Sequence, residues 1–187
     1  MVEMMRRIIA VFTGDSGAGK STLARMLASE RDLPVFAAGG FERDYAKSLG
    51  YDDVVEFERK LGLEKAYYRL IGPMLESISM QDRGRGIIVE GVYDPRLYTQ
   101  ISGLFVEPTF LINVTAPLYL KMLRAAEKQN ISPDKVAIAL AELDAQKELV
   151  GKSDLAKMAN ITVVNDRNVE QTYELLTHAI KELLRSG

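Results

Sequence analysis

The residues from Gly14 to Thr22 are the ones whose types and spacing most directly suggest chemistry. Gly14 to Ser21 read Gly-Asp-Ser-Gly-Ala-Gly-Lys-Ser, which fits the G-x-x-x-x-G-K-[ST] pattern of a phosphate-binding loop. Glycine lets the backbone approach an anion closely, Lys20 can bring its charge to the β- and γ-phosphates, and the Ser21 hydroxyl can bind Mg²⁺. The pattern therefore predicts a nucleoside triphosphate site. Its predicted phosphate-binding residues are Gly14, Asp15, Ser16, Gly17, Ala18, Gly19, Lys20, Ser21 and Thr22.

The sequence on either side of this loop supports the prediction. Residues 8–13 form a short, apolar and β-branched segment, which is typical of a buried strand. After the loop, Leu23, Met26 and Leu27 recur at helical spacing and indicate an amphipathic helix. The loop would then join a strand to a helix N-terminus, where free amides and the helix dipole attract phosphate.

The rest of the chain alternates short apolar segments with helical patterns. Further strands are predicted at residues 33–38, 86–90, 108–114 and 161–164. Helices are predicted at residues 41–49, 53–61, from about 64 with a kink or interruption at 72–73, from 94, at 117–129, at 133–150 and from about 169. This alternation predicts an α/β fold, a three-layer sandwich with a five-stranded parallel sheet, within a single domain spanning residues 1–187.

In such a sheet the loops that carry chemistry lie at the carboxyl ends of the strands. After the second predicted strand, Gly39 and Gly40 would let a ligand approach, and Arg43 offers a planar fork for phosphate or carboxylate. Glu90 ends the third strand, where its carboxylate could hold a Mg²⁺-bound water or a substrate hydroxyl. Arg96 follows on the same segment and is a second candidate for acceptor binding. An exposed arginine and a structurally paired glutamate are the alternatives for these positions.

A basic stripe is predicted on the helix that follows the fourth strand. Lys121, Arg124 and Lys128 lie at i, i+3 and i+7 and therefore share one side of that helix. The stripe could neutralise charge during phosphoryl transfer, with Arg124 as the catalytic cation, or it could simply face solvent.

The segment after the last strand contains a candidate for the nucleotide base. Asn165 and Arg167 could border the purine, whereas Asp166 or Asn168 could cap the final helix. The single histidine, His178, falls opposite the apolar face of that helix, and no chemical role is predicted for it.

Composition excludes several classes of protein. Lys and Arg number 24 against 26 Asp and Glu, for a formal charge of −2, which argues against nucleic acid as the main partner. The chain has no cysteine, so disulfides, thiol catalysis and cysteine-bound zinc are excluded. No apolar segment is long enough to span a membrane, so we expect a cytoplasmic protein without a membrane partner. We expect this protein to be a monomer or a homodimer.

The order of these parts resembles the P-loop nucleoside monophosphate kinase group, in particular archaeal cytidylate and adenylate-kinase-related proteins. The segment from Ala38 to Lys47, A-G-G-F-E-R-D-Y-A-K, is similar to the stretch of those kinases in which an arginine grips the acceptor's phosphate. The resemblance implies that Gly39, Phe41 and Arg43 bind the acceptor. It also implies a helical acceptor-binding insert over residues 39–83.

Other parts of the resemblance concern the lid and the donor. Arg124 and the turn after it look like a short lid, over about residues 124–147, in which lysines stand where these kinases usually carry several arginines. Asn165 matches the asparagine that lies in the loop beside the adenine in these kinases. The implied function is Mg²⁺-dependent transfer of a phosphoryl group from ATP to a small phosphorylated acceptor such as CMP or AMP. In that mechanism Lys20, Glu90 and Arg124 are catalytic, and Ser21 and Glu90 hold the metal.

Two alternatives remain open from the sequence. The segment that starts with Asp144-Ala145-Gln146-Lys147 and continues to the last strand is similar to dephospho-coenzyme A kinase. That enzyme, however, would have an aspartate where this chain has Gly39 or Gly40. A non-catalytic ATP sensor would also keep the phosphate loop while lacking a full lid. No guanine-reading Asn-Lys-x-Asp motif is present, so a GTPase switch is not favoured.

Overall fold

The computed structural model describes residues 7–82, 84–129 and 132–186. The strands are β1 Ile8–Gly14, β2 Val35–Ala37, β3 Gly86–Glu90, β4 Thr109–Thr115 and β5 Ile161–Val164. The helices are α1 Lys20–Arg31, α2 Ala38–Ser48, α3 Val54–Leu61, α4 Leu63–Asp82, α5 Pro95–Ser102, α6 Leu118–Gln129, α7 Pro133–Leu149, α8 Lys152–Lys157 and α9 Val169–Ser186.

All five strands pair in parallel in the order β2-β3-β1-β4-β5, as the alternating pattern predicts. β1 lies at the centre and is buried along its whole length. One face of the sheet packs against α1 and α9, where Leu27 and Leu176 join the core. The other face packs against α4 and α5, where Ile78 and Ile101 join a second core. The predicted three-layer α/β sandwich is confirmed.

The start of α2 differs from the prediction. The helix begins at Ala38, so Gly39 and Gly40 form its first turn instead of an open loop after β2. β2 itself is only three residues long and lies at the edge of the sheet. A short edge strand with one parallel neighbour does not fix the residue at which the following helix begins. The prediction was wrong because two consecutive glycines usually indicate a loop.

The proline in α4 does not interrupt that helix. α4 runs through Pro73 for 20 residues. A proline ring leaves the carbonyl four residues earlier without its helical donor, which is why an interruption was expected. Here the hydroxyl of Tyr45 donates to the carbonyl of Arg69, the residue at that position, at 3.2 Å. A side chain from α2 therefore supplies the missing hydrogen bond.

Several helix ends follow their sequence signals. The Asp94 carboxylate accepts from the Arg96 amide at the start of α5, and Asn168, not Asp166, accepts from the Gln171 amide at the start of α9. The short helix α8 was not predicted. It follows Gly151 directly and is too short to show a hydrophobic period.

The strand directions bring the ends of β1, β2 and β3 to one edge of the sheet. Phe12 pairs with Glu90, and Ala37 pairs with Glu90 from the other side. The phosphate-binding loop, the first turn of α2 and the segment after β3 therefore lie side by side. Within the described ranges no helix is both long and apolar enough to cross a membrane.

The entry into β3 supports a stability prediction. Gly86 has φ +109°, and a Cβ there would overlap the backbone of Ile8 on β1. Gly84, two residues earlier, has φ +77° and nothing within 4 Å of such a Cβ. We expect Gly84→Ala to cost about 1–2 kcal/mol of unfolding free energy, from φ alone. Gly86→Ala should cost at least about 2 kcal/mol more, because the strands must separate.

Urea unfolding of both variants measures this difference directly. Equal losses of unfolding free energy for Gly84→Ala and Gly86→Ala would contradict the close approach of β1 and β3 at this point.

Candidate functional site

The loop from Gly14 to Ser21 wraps around the amine of its own lysine. Lys20 opens α1 and is only 8% exposed, and its Nζ donates to the carbonyl oxygen of Gly14 at 3.1 Å and to that of Asp15. The Asp15 amide donates to Val114 on β4 at 3.2 Å, which ties the loop to the sheet. The loop is thus closed around the amine of its own lysine, which donates both of these hydrogen bonds to carbonyls of the loop itself.

Asn165 supports this loop from the segment after β5. Its side chain is 2% exposed and donates from Nδ2 to the carbonyl of Ala18 at 2.8 Å. Thr172 on α9 donates to Oδ1 of the same side chain at 3.1 Å. A Cβ on Gly19 would overlap the Asn165 amide, so only glycine fits there. The predicted base-bordering residue therefore lies against the loop, with its side chain already hydrogen-bonded in the protein.

Arg124 lies with Asn165. Its Nη2 donates to the backbone carbonyl of Asn165 at 3.2 Å and to the side-chain oxygen at 3.3 Å. Its Nη1 is buried, with no hydrogen-bond partner among the described residues. Arg124 thus lies beside Asn165, and neutralisation of the transferred phosphoryl group by Arg124 stays a prediction. Arg167 is exposed and pairs with the neighbouring Asp166 at 3.7 Å.

Three further lysines reach the phosphate loop. Lys121 Nζ lies 3.1 Å from Asp15 Oδ2, and Lys152 Nζ lies 3.2 Å from Asp15 Oδ1. Lys147 donates from Nζ to the hydroxyl of Ser16. Together with Lys20 these residues form the lysine cluster, which comes from α1, α6, α7 and α8. Of the predicted basic stripe, Lys121 belongs to this cluster, and the side chain of Lys128 lies outside the described residues.

The carboxylate of Asp144, on α7, lies among the same lysines and contacts the loop. Its Oδ1 accepts from the backbone amide of Ser16 at 2.9 Å. Lys152 and Lys121 lie 3.7 and 3.8 Å from its two carboxylate oxygens. Burial opposes ionisation of this carboxyl, but hydrogen bonds from Ser16 and the charge of Lys152 lower the pKa of Asp144 on balance. Asp144 is therefore ionised at neutral pH.

The ring of Tyr93 lies beneath two of the amines. Nζ of Lys147 is 4.4 Å from the ring centroid and Nζ of Lys20 is 5.6 Å from it, within reach of a cation–π contact. Burial and the nearby charge of Lys147 lower the pKa of Lys20 to about 7. Burial is also the main cause of the lowered pKa of Lys147. A bound anion would raise the pKa of both amines again, because it favours their charged forms.

Ser21 and Glu90 are the predicted ligands of Mg²⁺. Ser21 lies in the first turn of α1, and Glu90 ends β3 beside β1, close enough for its charge to act on Lys20. Among the described residues no group of three or more acidic, histidine or cysteine side chains could hold a metal. A hydroxyl and one carboxylate still suit Mg²⁺, which usually keeps several waters and binds substrate phosphates.

The predicted acceptor residues lie on α2 and α5. Phe41 stacks on Tyr45 with ring centroids 5.9 Å apart and also contacts Phe36 on β2, so its ring packs against the second core of the sheet. Arg43 is exposed, and its guanidinium lies over the first turn of α2, 3.7 Å from where a Gly39 Cβ would be. It is therefore available to a ligand.

Arg96 is committed to an internal pair. Its guanidinium donates to both oxygens of Asp94, at 2.7 to 3.1 Å, and lies 4.2 Å from the ring centroid of Tyr67. This pairing favours a structural role for Arg96 that the sequence did not indicate, because its planar fork already has a carboxylate.

Sequence reasoning missed Tyr93, Lys152 and Glu42, and it quoted Asp144 and Lys147 only within a resemblance. Burial, followed by the charge of Glu58, raises the pKa of Glu42 to about 7. Asp144 and Lys147 lie three residues apart, which is a sign that they share a helix side, but the polar residues of α7 are spread around the helix and gave no clear stripe. Only the packing of α7 over the loop distinguishes them.

The sequence relatives found by comparison with known proteins are cytidylate kinases. No family model matches this chain. A cytidylate kinase from Sulfolobus acidocaldarius is 28% identical over 139 residues, 70% of this chain and 66% of the relative. A cytidylate kinase from Desulfurococcus amylolyticus is 34% identical over 134 residues, 71% of this chain and 65% of the relative. The chain therefore spans just under two thirds of the length of these two proteins. A cytidylate kinase from Staphylothermus marinus is 23% identical over 186 residues, covering 95% of this chain and 99% of the relative.

Solved structures share the fold at low sequence identity. A gluconokinase from Sinorhizobium meliloti has a TM-score of 0.65 at 12% identity, with 97% of each chain covered. A shikimate kinase from Aquifex aeolicus has a TM-score of 0.60 at 16% identity, with 96% of this chain and 100% of that chain covered. This chain shares its fold with these two proteins, and the resemblance to archaeal cytidylate kinases is confirmed.

The depressed pKa of Lys20 supports a prediction about pH. Because that pKa is about 7 without ligand, the neutral amine dominates above pH 7, whereas bound phosphate favours the charged amine. Triphosphate binding should therefore take up a proton above pH 7, and affinity should fall by up to about tenfold per pH unit between pH 7 and 9. Calorimetry at pH 8 in buffers of different ionisation enthalpy measures this uptake.

Lys20→Arg provides the control, because a guanidinium stays charged at these pH values. This variant should bind with less proton uptake, while Lys157→Arg, which changes an exposed lysine on α8, should behave as the unmodified chain. If the unmodified chain takes up no proton when it binds triphosphate at pH 8, the lowered pKa of Lys20 is contradicted.

Proposed function

We propose that this protein is a nucleotide kinase that transfers the γ-phosphoryl group of ATP to a small phosphorylated acceptor, a nucleoside monophosphate such as CMP or AMP. The observation that carries the proposal is the phosphate loop with the lysine cluster around it. A site built this way has enough positive charge for a triphosphate and for a second phosphate beside it. The named relatives, which are cytidylate kinases, support the same class of acceptor.

The donor would bind with its β- and γ-phosphates on the amides of the loop and on Lys20. Mg²⁺, held by Ser21 and through water by Glu90, would neutralise part of the phosphate charge. Asn165 and Arg124 lie on the side of the loop where the base and ribose would follow, since Asn165 holds the carbonyl of Ala18. The donor's phosphates then point toward the ends of β2 and β3.

The acceptor would bind between α2 and the segment after β3. Arg43 is an exposed cation near the start of α2 and would hold the acceptor's existing phosphate. An oxygen of that phosphate attacks the γ-phosphorus, the bond from the γ-phosphorus to the bridging oxygen breaks, and ADP leaves with that oxygen. The protein's main contributions are position and charge, as is general for phosphoryl transfer.

The lysine cluster would supply the positive charge that several arginines supply in the lid of similar kinases. Lys121, Lys147 and Lys152 lie beside Asp15 and Ser16, at the start of the phosphate loop. As flexible point charges they would stabilise the phosphoryl group in transit together with Arg124. A kinase therefore remains favoured over an ATP sensor, because the sparse arginines are offset by amines placed at the loop.

An acceptor screen tests the proposal. The protein is incubated with ATP, Mg²⁺ and each of CMP, AMP, UMP, GMP and dephospho-coenzyme A, and ADP is measured. We expect turnover with at least one nucleoside monophosphate and a loss of several orders of magnitude in Lys20→Ala, because the charge on the triphosphate is removed. Turnover with dephospho-coenzyme A alone would favour the alternative kinase. ATP binding without transfer to any acceptor would indicate the sensor.

Two arginines should separate acceptor binding from catalysis. Arg43→Ala should raise the acceptor's KM more than it lowers kcat, because its contact is the same in the ground and transition states. Arg124→Ala should lower kcat with little change in KM if it meets the charge in transit. Each loss is expected to be about 2–4 kcal/mol, or roughly 30- to 1000-fold.

Arg85→Ala is the matched control for these steady-state measurements, because Arg85 pairs with Asp32 near the amino-terminal end of β3. A rise in the KM for ATP in Arg124→Ala, with kcat unchanged, would contradict the catalytic role and leave Arg124 as a support of Asn165.

A further inference from the structure

The ring of Tyr93 is shared by two amines of the lysine cluster. Nζ of Lys147 lies 4.4 Å from the ring centroid and Nζ of Lys20 lies 5.6 Å from it. Lys147 also donates to the hydroxyl of Ser16 in the phosphate loop. Two ammonium groups beside one ring repel each other, whereas the negative face of the ring attracts both. Tyr93 therefore favours the placement of two like charges side by side.

The other two amines of the cluster have a different kind of partner. Lys121 lies within 4 Å of carboxylate oxygens of Asp15 and Asp144. Lys152 makes the same two contacts, so these four side chains together carry no net charge. Among the described residues no carboxylate oxygen lies within 4 Å of either amine that shares the ring. The positive charge without a carboxylate partner is therefore concentrated on the two amines beside Tyr93.

An aromatic ring differs from a carboxylate as the partner of an amine. The Tyr93 hydroxyl is protonated at neutral pH, because burial raises its pKa further above that range. A neutral ring attracts a cation without cancelling its charge, whereas a carboxylate at the same place would cancel it. The ring can therefore fix the position of Lys147 and leave its charge available to an anion.

The backbone on both sides of Tyr93 is held by the sheet and by α5. The amides of Gly91 and Val92 donate to the carbonyl of Phe12 on β1, at 3.1 and 3.4 Å. Val92 is buried in the second core, and Asp94 caps α5. A lysine, by contrast, carries its charge on a flexible stem, and ordering that stem costs rotamer entropy. A ring on a fixed backbone can therefore define where a flexible amine lies.

We propose that Tyr93 is a positioning residue of the triphosphate site: the face of its ring holds the amine of Lys147 beside that of Lys20, so that α7 contributes a second cation to the triphosphate. The proposal rests on triphosphate binding by the loop, which is part of the proposed function, and not on transfer to an acceptor. Because the ring face makes the contact, phenylalanine should replace Tyr93 and an aliphatic side chain should not.

Binding of ATP and of inorganic tripolyphosphate, measured by calorimetry without any acceptor, tests this. Tyr93→Leu removes the ring, so both ligands should bind about five- to tenfold more weakly. Tyr93→Phe keeps the ring face and should bind both within about twofold of the unmodified chain. Tyr98→Leu is the matched control. It removes another half-buried tyrosine, which packs against the second core on α5, and should change either affinity less than about twofold.

A double-mutant cycle separates positioning from general support of the fold. Lys147→Met removes the amine and keeps a long, flexible side chain. In that background Tyr93→Leu should weaken binding at most about twofold further, because the ring has lost its nearer amine. Equal losses from Tyr93→Leu in the two backgrounds would overturn the proposal. Unchanged binding by Tyr93→Leu, a loss for ATP alone, or equal losses in Tyr93→Phe and Tyr93→Leu would overturn it as well.

Two measurements cover the case in which Tyr93→Leu does not fold. Lys147→Met should bind both ligands roughly tenfold more weakly, because a cation is lost. In the unmodified chain the ε-methylene protons of Lys147 should resonate upfield of those of Lys157, an exposed lysine, because the amine of Lys147 lies over the ring. Unchanged binding by Lys147→Met, or resonances like those of Lys157, would overturn the proposal.

These results also separate this proposal from the kinase. Failure of the acceptor screen together with the expected losses of binding would leave the role of Tyr93 standing and remove only phosphoryl transfer. Turnover in the screen with unchanged binding by Tyr93→Leu would remove only the role of Tyr93. If the unmodified chain binds neither ATP nor tripolyphosphate, both proposals are wrong.

Discussion

The density of positive charge around one short loop is the constraint on which the rest of the structure depends. Four lysine amines lie around the loop between β1 and α1, and two of them, Lys20 and Lys121, are almost fully buried. Buried amines are costly unless carbonyls, carboxylates or aromatic rings face them. The carbonyls of Gly14 and Asp15, the carboxylates of Asp15 and Asp144 and the ring of Tyr93 supply these contacts. The lysines around the loop are therefore stabilised by negatively polarised or charged groups of the protein itself.

The fold places each of these groups by a separate route. The central position of β1 puts the loop at the middle of the sheet edge, and β4 fixes the loop through the Val114 carbonyl. Lys121 follows β4 directly on α6, whereas Asp144 and Lys152 come from helices much later in the chain. Asn165 closes the arrangement by joining the segment after β5 to Ala18. Parallel strands make this possible, because every segment that follows a strand emerges at the same edge.

Much of the fold could be predicted from the sequence, because short-range patterns determine it. The strands are apolar on both faces, and the caps at Asp94 and Asn168 act over two or three residues. The errors arose where distant residues intervene. Pro73 remains inside α4 because Tyr45 of another helix bonds the carbonyl of Arg69, and no local rule contains that contact. The first turn of α2 includes Gly39 for a similar reason, since a three-residue edge strand ends earlier than its composition suggests.

The sequence by itself determined the phosphate loop, the parallel sheet and the location of the site, because each depends on spacing within a few residues. Only the tertiary structure decided which cations reach the loop. Arg124 has the residue type expected for catalysis, yet it bonds Asn165, while Lys121, one turn earlier, faces Asp15. The three-residue spacing of Asp144 and Lys147 does not distinguish them locally, since α7 has polar residues on all sides. Their role depends on how α7 packs over the loop, and a long-range packing angle is set by the whole core instead of by neighbouring residues.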